Sequence, residues 1–444
     1  MDPYTSFQIP SGDRPKYTGK KLVMLSPDTN MKKIDEEATG AALRLAPSSA
    51  YRSHEEDYQK AFTEGDGIVF EKFRVAVINA NHDEQIKSLL YSQRSFQYEE
   101  PERYLYALER ARSSSLLWQF ICRIFGIKKD PPVADPGPIP KDPPPEPPPI
   151  FENTGEAYWG LNALGALPGS FTGKGVKVAV LDTGMYLAHP DFAGREVVAK
   201  SFIQGETVDD AHGHGTHCAG ISVGGVRGNS GIRYGTASDA GLYVGKVLSN
   251  EGVGSDSGIL AGMEWAVSEG CSVISMSLGA SVEEDSRYSN IYNELAGIAM
   301  DMGTLIIAAA GNDSRRSQGL IRAVNHPGNC PNIMAVGALD RRSNVADFSC
   351  GGLNPDGGLV DIAGPGVEIF SSWKLPQEYA IISGTSMATP FVAGVAAQLR
   401  EAFPEATARE IWDKLVSQAR PLPLPGRDVG AGLVQSPLQN EEQP

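Results

Sequence analysis

The stretch Ile381-Ile382-Ser383-Gly384-Thr385-Ser386-Met387-Ala388-Thr389-Pro390-Phe391-Val392-Ala393-Gly394-Val395-Ala396 decides how this 444-residue chain is read. It opens as a short approach with a bend at Gly384. It continues as an apolar run, rich in Ala and Gly, long enough for a buried helix with Ser386 in its first turn. A side chain in that turn faces unpaired helix N–H groups and the positive end of the helix dipole, a setting that favours an incoming oxyanion. Pro390 lacks an N–H, which costs little in a first helical turn. Taken alone, Ser386 reads by default as the N-cap of a core helix. Two further stretches decide between these readings.

The run Val176-Lys177-Val178-Ala179-Val180-Leu181 reads as a buried strand, and Asp182 follows it directly in Leu181-Asp182-Thr183-Gly184. The segment Asp210-Ala211-His212-Gly213-His214-Gly215-Thr216-His217-Cys218-Ala219-Gly220 leads into an apolar helix start. Three histidines so close together must first be weighed as a metal cluster. The i,i+4 histidine pair with a nearby glutamate, usual for helical metal sites, is absent, and no metal is assigned. Carboxylate, imidazole and hydroxyl instead occur in that order, each in a glycine-flanked turn that lets backbone and substrate approach closely. A serine hydroxyl is a weak nucleophile near neutral pH. It needs an imidazole to take its proton and a carboxylate to hold that imidazole in the right tautomer.

Between these blocks the chain alternates apolar strand-like runs with helical ones. Leu242–Val244, Val273–Met276, Leu305–Ala309 and Ile333–Val336 read as strands, and Gly258–Ser268, Asn290–Met302 and Thr389–Ala402 as helices. Such alternation implies an α/β fold with a mainly parallel sheet covered on both faces, whose working residues gather at the carboxyl ends of the strands. Upstream, residues 20–98 read β-α-β-α-β. Lys21–Leu25 is a strand, Met31–Leu45 a helix, Val69–Val77 one half-buried strand, Asp83–Gln93 a helix, and Phe96–Tyr98 the start of another strand. Residues 1–18 read as a flexible arm. Ser115–Ile127 is apolar and aromatic but too short to cross a bilayer, and is expected to pack on a neighbouring domain. Asp130–Ile150 is mostly proline, a semi-rigid polyproline II spacer that marks a domain boundary.

Composition narrows the class. The net charge of −15 is carried mainly by residues 151–444. That acidity argues against a nucleic-acid partner; it reads first as a device for solubility and second as a mild attraction for cationic substrates. No apolar run reaches the length of a membrane helix. Five scattered cysteines (Cys122, Cys218, Cys271, Cys330 and Cys350) leave at least one thiol free, and Cys218 is expected to be a buried small hydrophobe. The N-terminus lacks the order of a signal peptide, so a cytoplasmic location is expected, with secretion as the alternative.

Residues 155–435 resemble the subtilisin-like serine proteases (subtilases). The match is carried by Val178–Gly184, His189-Pro190-Asp191, Gly213–Gly220, Ser277-Leu278-Gly279, Ala309-Ala310-Gly311-Asn312 and Ser383–Pro390. Asp-His-Ser is that family's chain order. The motifs His214–Gly220 and Tyr158–Leu161 look closest to the proteinase K branch. The resemblance implies a three-layer subtilisin-like fold over 151–444, in which Asp182 orients the base, His214 is general base and then acid, and Ser386 attacks the scissile carbonyl. It implies that the Asn312 side-chain amide and the Ser386 N–H stabilise the oxyanion. Gly252 and Gly254, with Ser277, Leu278 and Gly279, would form the two edges that pair with extended substrate backbone. Asp256 would line a distal pocket and Asp313 the rim of the primary one, hinting at basic or polar substrate side chains. No cofactor is required. A structural calcium is the open question at Asp191 and Asn229, where the loop departs from the family pattern and only two ligands can be named.

Residues 19–112 resemble the family's propeptide, a small α+β ferredoxin-like unit that inhibits the enzyme intramolecularly, with 113–150 as the connector. The resemblance implies a serine endopeptidase made as a self-inhibited precursor, acting on polypeptides and processed between about Tyr104 and Phe151. The alternatives are a peptide-maturation protease that transfers the acyl group to an amine, and a pseudoprotease binding module.

Overall fold

The computed structural model describes residues 16–51, 58–92, 95–108, 150–166, 171–354 and 356–437. The apolar segment 115–127, the proline spacer and nearly all of the N-terminal arm lie outside the described residues. Tyr17 and Thr18, expected in that arm, instead begin the first strand.

The N-terminal unit runs β1 (Tyr17–Leu25), α1 (Met31–Gly40), β2 (Leu45–Pro47), β3 (Gly67–Phe70), β4 (Val75–Ile78), α2 (Asp83–Ser92) and β5 (Phe96–Ala107). Its sheet order is β5-β1-β4-β3-β2, with β1 antiparallel to both neighbours. Two expectations need correction. Val69–Val77 is not one strand but the antiparallel hairpin β3–β4, with Arg74 at φ 57° just before β4. The first helix stops at Gly40 rather than Leu45; Ala42 turns to φ 61°, and Leu45–Pro47 then pairs in parallel with β3.

Period-two alternation gives the sheet two apolar faces. Val23, Leu25, Val69, Ala76 and Ile78 pack beneath Ile34 and Ala38 of α1 and Ile86 and Leu89 of α2. Leu22, Met24, Ile68, Phe70, Val75 and Val77 point the other way and belong to a core shared with the larger unit. Each large apolar side chain so buried contributes about 1.5–3 kcal/mol, so this face is committed to its neighbour.

The larger unit is built on seven parallel strands in the order β14-β13-β12-β10-β6-β8-β7. These are β6 (Lys177–Asp182), β7 (Val197–Ser201), β8 (Gly241–Lys246), β10 (Val273–Met276), β12 (Leu305–Ala309), β13 (Met334–Leu339) and β14 (Ile362–Pro365), with the short edge strands β9 (Val253–Ser255) and β11 (Leu278–Gly279) apart from them. Helices α3 (His214–Val223), α4 (Asp256–Ser268), α5 (Asn290–Asp301), α6 (Thr385–Ala402) and α7 (Ala408–Gln418) cover it. Along β6, Val178 and Val180 enter the core formed with α3, α6 and α7, whereas Ala179 and Leu181 enter the one formed with α4 and α5. A strand buried on both faces in this way explains the uninterrupted apolar runs, and the architecture is three-layered as expected.

The two units meet along β5. Its C-terminal half pairs antiparallel with β9 (Tyr104 with Ser255, Leu105 with Gly254, Tyr106 with Val253) and with β11 (Tyr106 with Gly279, Ala107 with Leu278). Acidic side chains of the same strand meet two helix starts. Glu102 Oε1 accepts the Ser257 N–H of α4 at 2.9 Å, and Glu100 Oε1 accepts the Ile291 N–H of α5 at 3.3 Å. Unpaired N–H groups and the helix dipole both favour a carboxylate there.

Candidate active site

Asp182 ends β6 at the carboxyl edge of the sheet and is fully buried. One carboxylate oxygen accepts the Thr183 N–H at 2.7 Å and lies 2.7 Å from His214 Nδ1. His214 opens α3, entered through Gly213 at φ 104°, where a Cβ would sit 2.5 Å from the Trp373 ring. The next residue, Gly215, permits the close approach of α3 to β6, since a Cβ there would meet the Gly184 carbonyl at 2.2 Å.

A buried brace fixes this corner. Asp210 accepts from the Thr183 hydroxyl, from the N–H groups of His212, Gly213 and Thr216, and from the Thr216 hydroxyl, all within 3.0 Å. Thr183 Oγ1 in turn receives the Gly215 N–H. Sequence reasoning quoted Asp210 but gave it no role. An aspartate four residues ahead of a helix-opening histidine, with two intervening N–H groups to satisfy, was the available signal.

The three histidines do not converge. His217 Nε2 lies 3.1 Å from the Ile369 carbonyl, and burial drives its pKa down to about 3, so it is neutral. Among the described residues, the one group of ligand-type atoms is Asp182, His214 and Cys218. Burial pushes the Cys218 thiol up to about 11, leaving it a protonated packing residue. At His214 burial opposes the charge, but the adjacent Asp182 carboxylate outweighs it, and the imidazole pKa is raised well above its ordinary value.

Ser386 sits in the first turn of α6, as read from the sequence. Pro390, however, falls in the second turn of the helix, where it cannot donate to the Ser386 carbonyl. That carbonyl is satisfied from outside the helix, by Ser277 Oγ at 2.8 Å and Cys218 Sγ at 3.5 Å. The proline thus leaves the Ser386 carbonyl tied to Ser277, just ahead of β11, and to α3. The expected bond between Ser386 and the imidazole is not made in this state. Ser386 Oγ donates to the Ser277 carbonyl at 2.9 Å, and His214 Nε2 has no hydrogen-bond partner among the described residues. Nucleophile–base contacts are often loose until substrate is fully engaged.

Asn312 Oδ1 accepts both the N–H and the hydroxyl of Thr385 at 2.9 Å, which turns Nδ2 outward to donate to the Leu108 carbonyl at 2.8 Å. The five edge residues line up along the same segment. Gly252 accepts the Ala107 N–H at 2.9 Å, Ser277 accepts the Leu108 N–H at 3.3 Å, and Gly254, Leu278 and Gly279 pair with β5. Leu108 packs beside Gly279, which puts an apolar side chain where the primary pocket is expected. Asp313, expected at its rim, is held by Ser281 Oγ and Asn325 Nδ2. Asp256 is fully buried where α4 begins.

Asp191 does not fit a calcium ion. Its oxygens are taken by the Gly228 N–H (2.8 Å) and by the hydroxyls of Tyr234 (2.9 Å) and Tyr379 (3.0 Å), while Asn229 is exposed on a neighbouring turn. Calcium would require six or more oxygen ligands, and hydroxyl donors turned toward this carboxylate do the ion's work of tying the loops together.

Comparison with known proteins agrees with this geometry. The sequence profile described as "Subtilase family" matches residues 173–434. The chain is 38% identical over 286 residues to a cuticle-degrading protease of Metarhizium anisopliae, covering 60% of this chain and 66% of that protein. It is 38% identical to thermitase of Thermoactinomyces vulgaris, covering 51% of this chain and 75% of the relative. It is 37% identical to subtilisin Savinase of Lederbergia lenta, covering 63% and 96%.

Proposed function

The chain belongs to the subtilase family of serine endopeptidases, and on that premise we propose that it is a self-inhibited precursor that hydrolyses peptide bonds through an acyl-enzyme on Ser386. The observation that carries the proposal is the Asn312 amide bonded to the Leu108 carbonyl, with β5 paired on both sides by β9 and β11. A peptide held that way offers Leu108–Glu109 as the bond to be cut.

In the proposed mechanism Ser386 Oγ rotates from the Ser277 carbonyl toward His214 Nε2, gives up its proton and adds to the Leu108 carbonyl carbon. Asn312 Nδ2 and the Ser386 N–H receive the oxyanion, and Asp182 stabilises the imidazolium. His214 then protonates the leaving Glu109 nitrogen. Water, activated by the same imidazole, releases the acid. Catalysis requires no cofactor. After the cut, residues up to Leu108 remain as an intramolecularly derived inhibitor in the substrate groove.

Intact mass and N-terminal sequencing of the incubated chain test the reading: a fragment beginning at Glu109 is expected, and a new terminus elsewhere with that bond intact would overturn the assignment. Leu108→Asp buries a charge in the apolar pocket, and processing there is expected to slow about tenfold to a hundredfold. Asn312→Ala removes one oxyanion donor. Loss of kcat by about 10²–10³ with little change in KM is expected on a peptide substrate, a magnitude known from subtilisin itself.

A further inference from the structure

Lys246 ends β8 directly opposite Asp182, which ends the neighbouring β6. Its side chain is fully buried, although a lysine closing an apolar strand would ordinarily turn its head to solvent. Oxygens converging on one point hold it in. Nζ donates to the Thr183 carbonyl at 2.6 Å and to Asn250 Oδ1 at 2.9 Å, and lies 3.2 Å from Glu206 Oε2. The three N–H donors of the side chain thus meet three oxygens, and the Asp209 carbonyl is a longer contact at 3.4 Å. A compact ammonium suits this cage, whereas the planar fork of an arginine would not.

These partners belong to different parts of the site. Thr183 follows Asp182 in the chain and Asp209 precedes the brace residue Asp210, so Nζ grips the backbone of both turns beneath His214. Asn250 lies in the turn before β9. The Gly252 N–H closes that turn on the Ser249 carbonyl at 2.9 Å, and the Gly252 carbonyl receives the Ala107 N–H. Glu206 braces the same turn by accepting the Asn250 N–H at 3.0 Å. Between the two ends, the Asp182 carbonyl accepts the N–H groups of Val247 and Leu248 at 2.9 and 3.0 Å. The run Lys246–Gly252 therefore leads from the carboxylate that orients the base to the edge that pairs with an extended peptide, and Nζ is bonded to both.

Resting on the endopeptidase reading above, we propose that Lys246 is a positioning residue that locks the Asp182–Thr183 turn to the substrate-binding edge, so that peptide binding on β9 and alignment of Asp182 on His214 depend on one buried side chain. It acts through Thr183 and Asn250 rather than on the reacting atoms. Without it, the Thr183 carbonyl and the Asn250 amide oxygen lose a charged donor, and each turn relaxes separately. A displaced Asp182 turn costs turnover, because misplacing a catalytic group by about 1 Å can cost about 10²-fold. A loosened edge costs substrate affinity.

The test makes Lys246→Met and Asn250→Ala in the full chain and assays the processed enzymes, with active sites counted by a fluorophosphonate. Two substrates are compared: an anilide of the peptide copying residues 104–108, which reaches β9, and an acetyl-leucine anilide, which does not. Per active site, Lys246→Met should lower kcat on both substrates by about tenfold, and should raise KM about threefold to tenfold on the peptide alone. Asn250→Ala cuts only the arm to the edge, so the peptide KM should rise about threefold with kcat within about twofold of the parent. A purely structural lysine would reduce the number of active sites and leave kcat and KM per site unchanged. That result in Lys246→Met, or a KM that rises equally on both substrates, overturns the proposal alone. A parent enzyme that cleaves neither substrate and takes up no fluorophosphonate overturns it together with the reading on which it rests. Should Lys246→Met fail to mature, Asn250→Ala decides: an unchanged peptide KM overturns the proposal.

Discussion

Ser386→Ala is expected to fold and remain at full length, with peptide hydrolysis reduced on the order of 10⁶-fold. Its side chain makes one hydrogen bond, to the Ser277 carbonyl, and that carbonyl, just ahead of β11, still accepts the Leu108 N–H. The structural loss is therefore small, and the chemical loss is complete, because no other side chain at the acyl carbon can form the ester. In kcal/mol the expected factor is about 8. Intact mass after incubation checks it against the parent chain. Cleavage of both at Leu108–Glu109, in protease-free preparations, would show that the cut is made by something other than Ser386.

Asp182→Asn is expected to lower kcat by about 10⁴ with the fold intact. The carboxylate has two effects on His214, and both vanish. It fixes the proton on Nδ1 through the 2.7 Å contact, leaving Nε2 free to act as base. It also holds the imidazole pKa up against burial. Only the neutral ring is a base, so a raised pKa puts the acid limb of the pH–rate profile above the ordinary imidazole range, with activity rising as pH passes through it. Without the carboxylate, burial, the largest single influence, pushes the other way against the contribution of Cys218, so the limb should move to lower pH even as the plateau falls. A plateau that falls with no movement of the limb would mean that Asp182 orients the ring without setting its charge.

The parts of the site that could be read from sequence are those whose chemistry is local. Asp182 at a strand end, His214 at a helix opening and Ser386 in a first turn each sit in a glycine-bounded segment, where residue type and backbone geometry constrain one another within ten positions. The parallel sheet was readable for the same reason, since strands buried on both faces are continuous apolar runs. Strands β7 and β14 were missed. Val197–Ser201 is a half-buried edge, and Ile362–Pro365 is four residues long and ends in Gly-Pro. The hairpin β3–β4 was misread because apolar alternation persists across its tight turn at Glu71–Arg74.

What sequence could not supply is long-range pairing. Tyr234 and Tyr379 converge on Asp191 from far along the chain, which no local motif reports, and so the calcium question was left open. Arg103 meets Asp256 only because two units share a strand register. The hydroxyl of Ser386 is turned to Ser277, a choice made by the tertiary setting of β11 beside α6.

On the proposed reading, β5 and the apolar face behind it would stay seated after the backbone is cut at Leu108, so breaking that bond would liberate no active enzyme by itself. The cut would convert a tethered occupant, at an effective concentration on the order of millimolar, into a separate molecule whose residence is governed by dilution. Onset of activity should therefore lag behind scission, and the lag should lengthen as the protein is made more concentrated.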